Sequence, residues 1–146
     1  EAAEIITSYF ATYPKLKAYM DANIAFAREH GYVKTLMNRK RRLKDINSRN
    51  GVVRGHSERN AINAPVQGSA ADVIKLAMIK VQADIEAQGL QSKMILQVHD
   101  ELVFDALKTE VPQLKILIKN AMENVFESKV PLTVDIGEGT TWLEAH

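Results

Sequence analysis

The chain has 146 residues, room for one domain with a real core and too few for two ordinary ones. Its 46% apolar and 25% charged residues are a globular composition, and its lack of cysteine excludes disulfide frameworks and thiolate metal sites. No apolar run approaches a membrane span and the first residues do not resemble a signal peptide, so a soluble intracellular protein is the expectation.

The chain opens directly on EAAEIITSYF, helical in pattern and without an initiating methionine, which suggests a piece of something longer. Ile5, Ile6, Tyr9 and Phe10 form a short helical face over residues 2–12 that stops before Pro14. A second helix starts near Pro14, with Leu16, Tyr19, Met20, Ile24 and Ala27 on one side and Gly31 as terminator. YVKTLM reads as a short strand.

The formal charge of +1 then proves unevenly spread. Nine Lys or Arg lie between Lys34 and Arg59, against only Asp45 and Glu58. Such a cationic segment points to a polyanionic partner, most often nucleic acid, with a solvated loop as the alternative. Asn38 to Gly55 reads as a basic loop, and NSRNG marks a turn.

A long helix is expected from near Ser57, with a break or kink at Pro65, which lacks a backbone donor. Val66, Ala70, Val73, Ile74, Ala77, Met78, Val81 and Ile85 continue an apolar stripe that Gly89 ends. Another amphipathic helix is expected from about Glu110 to Phe126, and VPLTVDIG alternates as a half-buried strand does. The fold class is α+β: amphipathic helices packed on a small antiparallel sheet.

Within that sheet, QVHDELVF interrupts an apolar run with three titratable residues. Strands 93–98 and 102–106 with little between them must form a hairpin whose tip carries His99, Asp100 and Glu101. Tight two-residue hairpins prefer Asn-Gly or Asp-Gly because their central residues need positive φ. Asp tolerates that region better than Glu, so this is not the relaxed choice. Adjacent carboxylates repel unless compensated, and a hard cation such as Mg²⁺ compensates them, taking one or two carboxylates plus substrate phosphates. On the pair alone a solvent-exposed acidic turn is the simpler reading, and for His99 alone a structural histidine is.

Arg59, Asn63 and Gln67 are spaced by four and all offer hydrogen-bond donors. The minor groove of a duplex presents an acceptor on every base pair, so such a row suits a protein that checks pair shape without reading sequence. A hydrated polar face is the alternative.

ERNAINAPVQGSAADVIKLAM and QVHDELVF, in this order and at this separation, closely resemble the C-terminal polymerase region of the DNA polymerase I family (family A). GYVKTL, DINSRN and VPLTVDIGEGTTW fit as well, so the likeness covers nearly the whole chain. The resemblance implies a template-directed DNA polymerase that adds deoxynucleotides to a primer 3′ end by two-metal phosphoryl transfer. The hairpin would then be the catalytic hairpin of a polymerase palm. Asp100 corresponds to a metal-binding palm carboxylate with Glu101 in support, and two Mg²⁺ ions are implied in the complete site. Arg59, Asn63, Gln67 and His99 match positions that contact the primer–template, and Arg39 and Arg41 lie in a run that also meets DNA. Residues 1–50 would be the back of the fingers and 51–146 the C-terminal part of the palm. A bacterial, cytoplasmic, nucleoid-associated setting in DNA replication or repair is implied.

Three positions depart from the family pattern: Asn38 stands where glycine is usual, Arg42 where an aromatic is, and Lys44 where proline is. The family's first motif, with the other metal-binding aspartate, and the finger helix that holds the incoming nucleotide do not occur in these residues. The isolated segment is therefore expected to bind DNA at most, and to self-associate through an exposed sheet edge. A metal-dependent nuclease would need further carboxylates, and no upstream acidic cluster has a claim. A non-catalytic DNA-binding module is the remaining alternative.

Overall fold

The computed structural model describes residues 2–145. They form two compact units, the first through Ser69 and the second from Ala70 on. The boundary lies inside one long helix.

The first unit begins with α1 (Ala2–Thr12) and α2 (Pro14–His30). Pro14 opens α2 at a position where its missing N–H is no loss. Gly31 ends it at φ 75°, a left-handed conformation that costs glycine nothing, and its N–H returns to the Ala27 carbonyl at 2.8 Å. Two short antiparallel strands follow, β1 (Tyr32–Lys34) and β2 (Lys40–Arg42), with Val33 opposite Arg41. Val33 joins Leu43, Ile46 and two alanines, Ala27 and Ala61, in a small core. Burying a valine fully is worth about 1.5–3 kcal/mol, so Val33 is the main apolar anchor of this hairpin. The apolar face of α1 is exposed instead: none of its residues is buried.

The expected basic loop from Asn38 to Gly55 is thus partly strand and partly helix. α3 starts at Gly51, not near Ser57, and runs to Ala87. Its start is set by Asn50, whose side-chain oxygen accepts the Val52 and Val53 amides at 3.0 and 3.4 Å. That is an N-cap, a role that suits asparagine as well as a turn does. No break falls at Pro65, and α3 continues on both sides of it.

In the second unit the stripe on α3 is buried at Ile74, Ala77, Val81 and Ile85, whereas Val66, still in the first unit, is 59% exposed. Val81 and Ile85 pack with Leu114, Leu117, Ile118 and Ala121 of α4 (Val111–Glu123), and Phe104 and Ile136 lie against this cluster. Phe104 belongs to a hairpin of β3 (Lys93–Val98) and β4 (Glu101–Asp105). Its register shifts between Met94 and Leu96, so Ile95 is an extra residue without a cross-strand partner.

The fold is α+β as expected, but among the described residues it has two two-stranded sheets. The alternating segment VPLTVDIG is not a strand, because it pairs with neither sheet among the described residues. It is anchored otherwise: the Val134 amide donates to Glu123 Oε1 at 3.0 Å, and Ile136 packs on the core. A short helix, α5 (Trp142–Ala145), follows.

Candidate functional site

Val98 pairs directly with Glu101, which leaves only His99 and Asp100 in the turn between β3 and β4. The tip is therefore one residue shorter than expected, and Glu101 belongs to the strand. The left-handed backbone also falls elsewhere than expected: His99 has φ 54°, and neither Asp100 nor Glu101 has a positive φ. A type I′ turn needs two positive φ values, so this turn is not one. A non-glycine residue held there costs about 1 kcal/mol or more. The chain offsets this locally, with Gln97 Nε2 donating to the His99 carbonyl at 2.8 Å. His99 and Asp100 are exposed and Glu101 is half-buried.

The other end of the hairpin is tied down. The Glu110 carboxylate accepts the Gln91 amide at 3.0 Å, the Ser92 amide at 2.9 Å and the Ser92 hydroxyl at 2.6 Å. Ser92 Oγ in turn accepts the Leu107 amide at 3.0 Å. The Gln91 amide first, then the Ser92 hydroxyl, hold Glu110 below the usual glutamate pKa, because both favour the ionised carboxylate. One carboxylate thus joins the start of β3, the end of β4 and the start of α4. The turn bearing Asp100 stands on a braced base.

Asp100 and Glu101 are hard oxygen donors, which suits Mg²⁺. No group of three or more His, Asp or Glu among the described residues could hold a metal ion. The donor set fits a Mg²⁺ site to which this hairpin contributes one or two ligands.

In the first unit Arg59, Asn63 and Gln67 are exposed along α3. The helix continues through Pro65, so their spacing of four keeps them on one side of it. The carboxylate beside this row is committed: Glu58 meets Arg28 at 2.6 Å and Arg54 at 3.6 Å. It does not neutralise the row. The structure brings Arg59, Asn63 and Gln67 together in one unit, and His99, Asp100 and Glu101 in the other.

A family model for DNA polymerase family A matches residues 1–144. The chain belongs to DNA polymerase family A. It is 53% identical to DNA polymerase I of Caldicellulosiruptor bescii over 144 residues, which is 99% of this chain and 17% of that protein. It is 50% identical to DNA polymerase I of Streptococcus pneumoniae over 145 residues, or 99% of this chain and 16% of that protein. Its structure matches the POL domain of Pol1 from M. smegmatis in complex with DNA primer-template and dNTP, with a TM-score of 0.96 and 41% identity. That match covers 99% of this chain and 26% of the other. The chain thus spans about a sixth of the length of the curated relatives it matches.

The departures from the family A pattern now have geometry. Asn38 takes the glycine position at φ 62°, a conformation that asparagine tolerates better than most residues. Arg42, in place of the usual aromatic, sits across from Tyr32, and Lys40 Nζ lies 4.5 Å from the centre of that ring. Arg41 is exposed opposite buried Val33. Arg39, itself exposed, reaches α3, where its Nη2 donates to the Gly68 carbonyl at 3.1 Å. Among the described residues no helix is long and apolar enough to cross a membrane.

Sequence reasoning missed Ser92 and Glu110. Their bond joins residues 18 apart in sequence, with no periodicity to announce it. The signal for the Asn50 cap was present in NSRNG, where a turn was read instead.

Proposed function

We propose that this chain is part of a template-directed DNA polymerase that extends a primer 3′ end. Residues 1–50 form the back of its fingers and 51–146 the C-terminal part of its palm. One observation carries the reading: adjacent carboxylates stand at a two-residue turn on a braced hairpin, in a chain that matches family A over residues 1–144. Asp100, with Glu101 in support, would hold Mg²⁺. When bound, the metal supplies Lewis-acid stabilisation of phosphoryl oxygens. The hairpin's own contribution is to fix the carboxylates in advance, so that no reorganisation is needed as charge develops.

Arg59, Asn63, Gln67 and His99 contact the primer–template in this reading. The acceptors they meet occur on every base pair, so they check geometry without selecting sequence. Arg41 adds phosphate attraction. Support comes from the solved relative, which holds DNA primer-template and dNTP.

The test is Asp100→Ala in the complete polymerase that carries this segment, by single-turnover primer extension. Extension should slow by about a hundredfold to a thousandfold or more, as expected when a preorganised charge is removed. Affinity for duplex DNA should stay near that of the parent, because it comes mostly from phosphate contacts. Near-normal extension would overturn the assignment.

A further inference from the structure

The turn between β1 and β2 grips α3 at Gly68 and Ser69, immediately beyond Gln67. Four observations converge there. Arg39 Nη2 donates to the Gly68 carbonyl at 3.1 Å. Ser69 Oγ donates to the Pro65 carbonyl at 2.5 Å and accepts the Leu36 amide at 2.9 Å. The Thr35 methyl lies so close that a Cβ on Gly68 would fall 2.6 Å from it. The turn itself is closed, with the Thr35 amide on the Arg39 carbonyl at 3.0 Å and the Arg39 amide on Thr35 Oγ1 at 3.2 Å.

These contacts fall on the turn that follows Pro65. Pro65 cannot donate to the Ala61 carbonyl, so the turn just before the one that carries Gln67 has less of its own stiffness. An amide donor at the end of a Gln side chain reaches an acceptor only if its backbone is held within a few tenths of an ångström.

We propose that Arg39, Thr35 and Ser69 clamp the bare Cα of Gly68 and thereby position Gln67 for the minor groove. Arg39 is then a positioning residue, acting through α3 rather than on DNA. This rests on the minor-groove role of Gln67 proposed above.

The experiment uses the complete polymerase and a primer whose terminal purine carries carbon in place of N3, removing one minor-groove acceptor. In the parent this primer should be extended about tenfold more slowly than the natural one, the size of one net hydrogen bond. Gln67→Ala should abolish that penalty. If it keeps the full penalty, the minor-groove reading fails, and the clamp's role with it. Gly68→Ala and Arg39→Lys should each slow extension of the natural primer and shrink the penalty towards none.

The rescue is geometric. With Thr35→Ser the methyl is gone, and the next atoms around a Cβ at position 68 lie at 3.9 Å, an ordinary contact. Gly68→Ala combined with Thr35→Ser should therefore recover both extension and the penalty. Slow variants that keep the full penalty, or a double variant no better than Gly68→Ala, would overturn the clamp while leaving the Gln67 assignment intact.

Discussion

Ser92 and Glu110 are joined by a hydroxyl-to-carboxylate hydrogen bond of 2.6 Å, although 18 residues separate them in sequence. Ser92 is only 3% exposed, and the same oxygen accepts the Leu107 amide. Ser92→Ala would strand that amide and remove one of the carboxylate's donors. A loss of about 1–3 kcal/mol is expected, the cost of leaving a buried partner unsatisfied. The denaturant midpoint should fall with an unchanged slope, and hydrogen exchange should quicken in β3 and β4. An unmoved midpoint would show that the brace carries no stability.

The same bond predicts a pH dependence. Glu110 is held below the ordinary glutamate value of 4.5, first by the Gln91 amide and then by Ser92. A depressed carboxylate stabilises the fold above its unfolded pKa, and that contribution is lost as pH falls through the lower, folded value. Stability should therefore decline with acidification from the ordinary glutamate range downward. Glu110→Gln should flatten this decline, measured as thermal midpoint against pH. Parallel curves for parent and variant would contradict the assignment.

How far the sequence announced all this depends on the range of the interactions involved. Pro14, Gly31 and the α4 stripe act within a turn or two, and the helices they mark appear where expected. NSRNG misled because asparagine serves turns and helix caps alike, and Asn50 caps α3. The break expected at Pro65 does not occur, because one lost hydrogen bond does not outweigh the rest of a long helix. VPLTVDIG has the alternation of a strand, but a strand also needs a neighbour, which no local pattern supplies. At the hairpin, the residue types located the tip, whereas the pairing of Val98 with Glu101 decided that His99 bears the strained backbone.

A third expectation concerns the 146-residue chain by itself. It should bind duplex DNA weakly, losing about a hundredfold in affinity or more between roughly 50 and 200 mM salt, and extend no primer. A two-metal site draws ligands from more than one strand, and this hairpin offers one carboxylate pair. β3 and β4 each keep an unpaired edge among the described residues, and Ile95 and Leu96 are 59% and 49% exposed beside it. Self-association is therefore expected in light scattering. Mg²⁺-dependent extension by the chain alone would defeat the first expectation, and a strict monomer at all concentrations the second.

The unpartnered Ile95 also decides where this hairpin can change length. Met94 faces Phe104 and Leu96 faces Val103, so β3 holds one residue more than β4 demands. Deleting Ile95 would leave every cross-strand partner in place, and His99 and Asp100 would still form the turn. Deleting any residue of β4 would instead send its side chains to the opposite faces of the sheet, because they alternate. Single-residue gaps among natural variants of this hairpin should therefore gather at Ile95, the position where the reading frame of the pleat survives the loss of a residue.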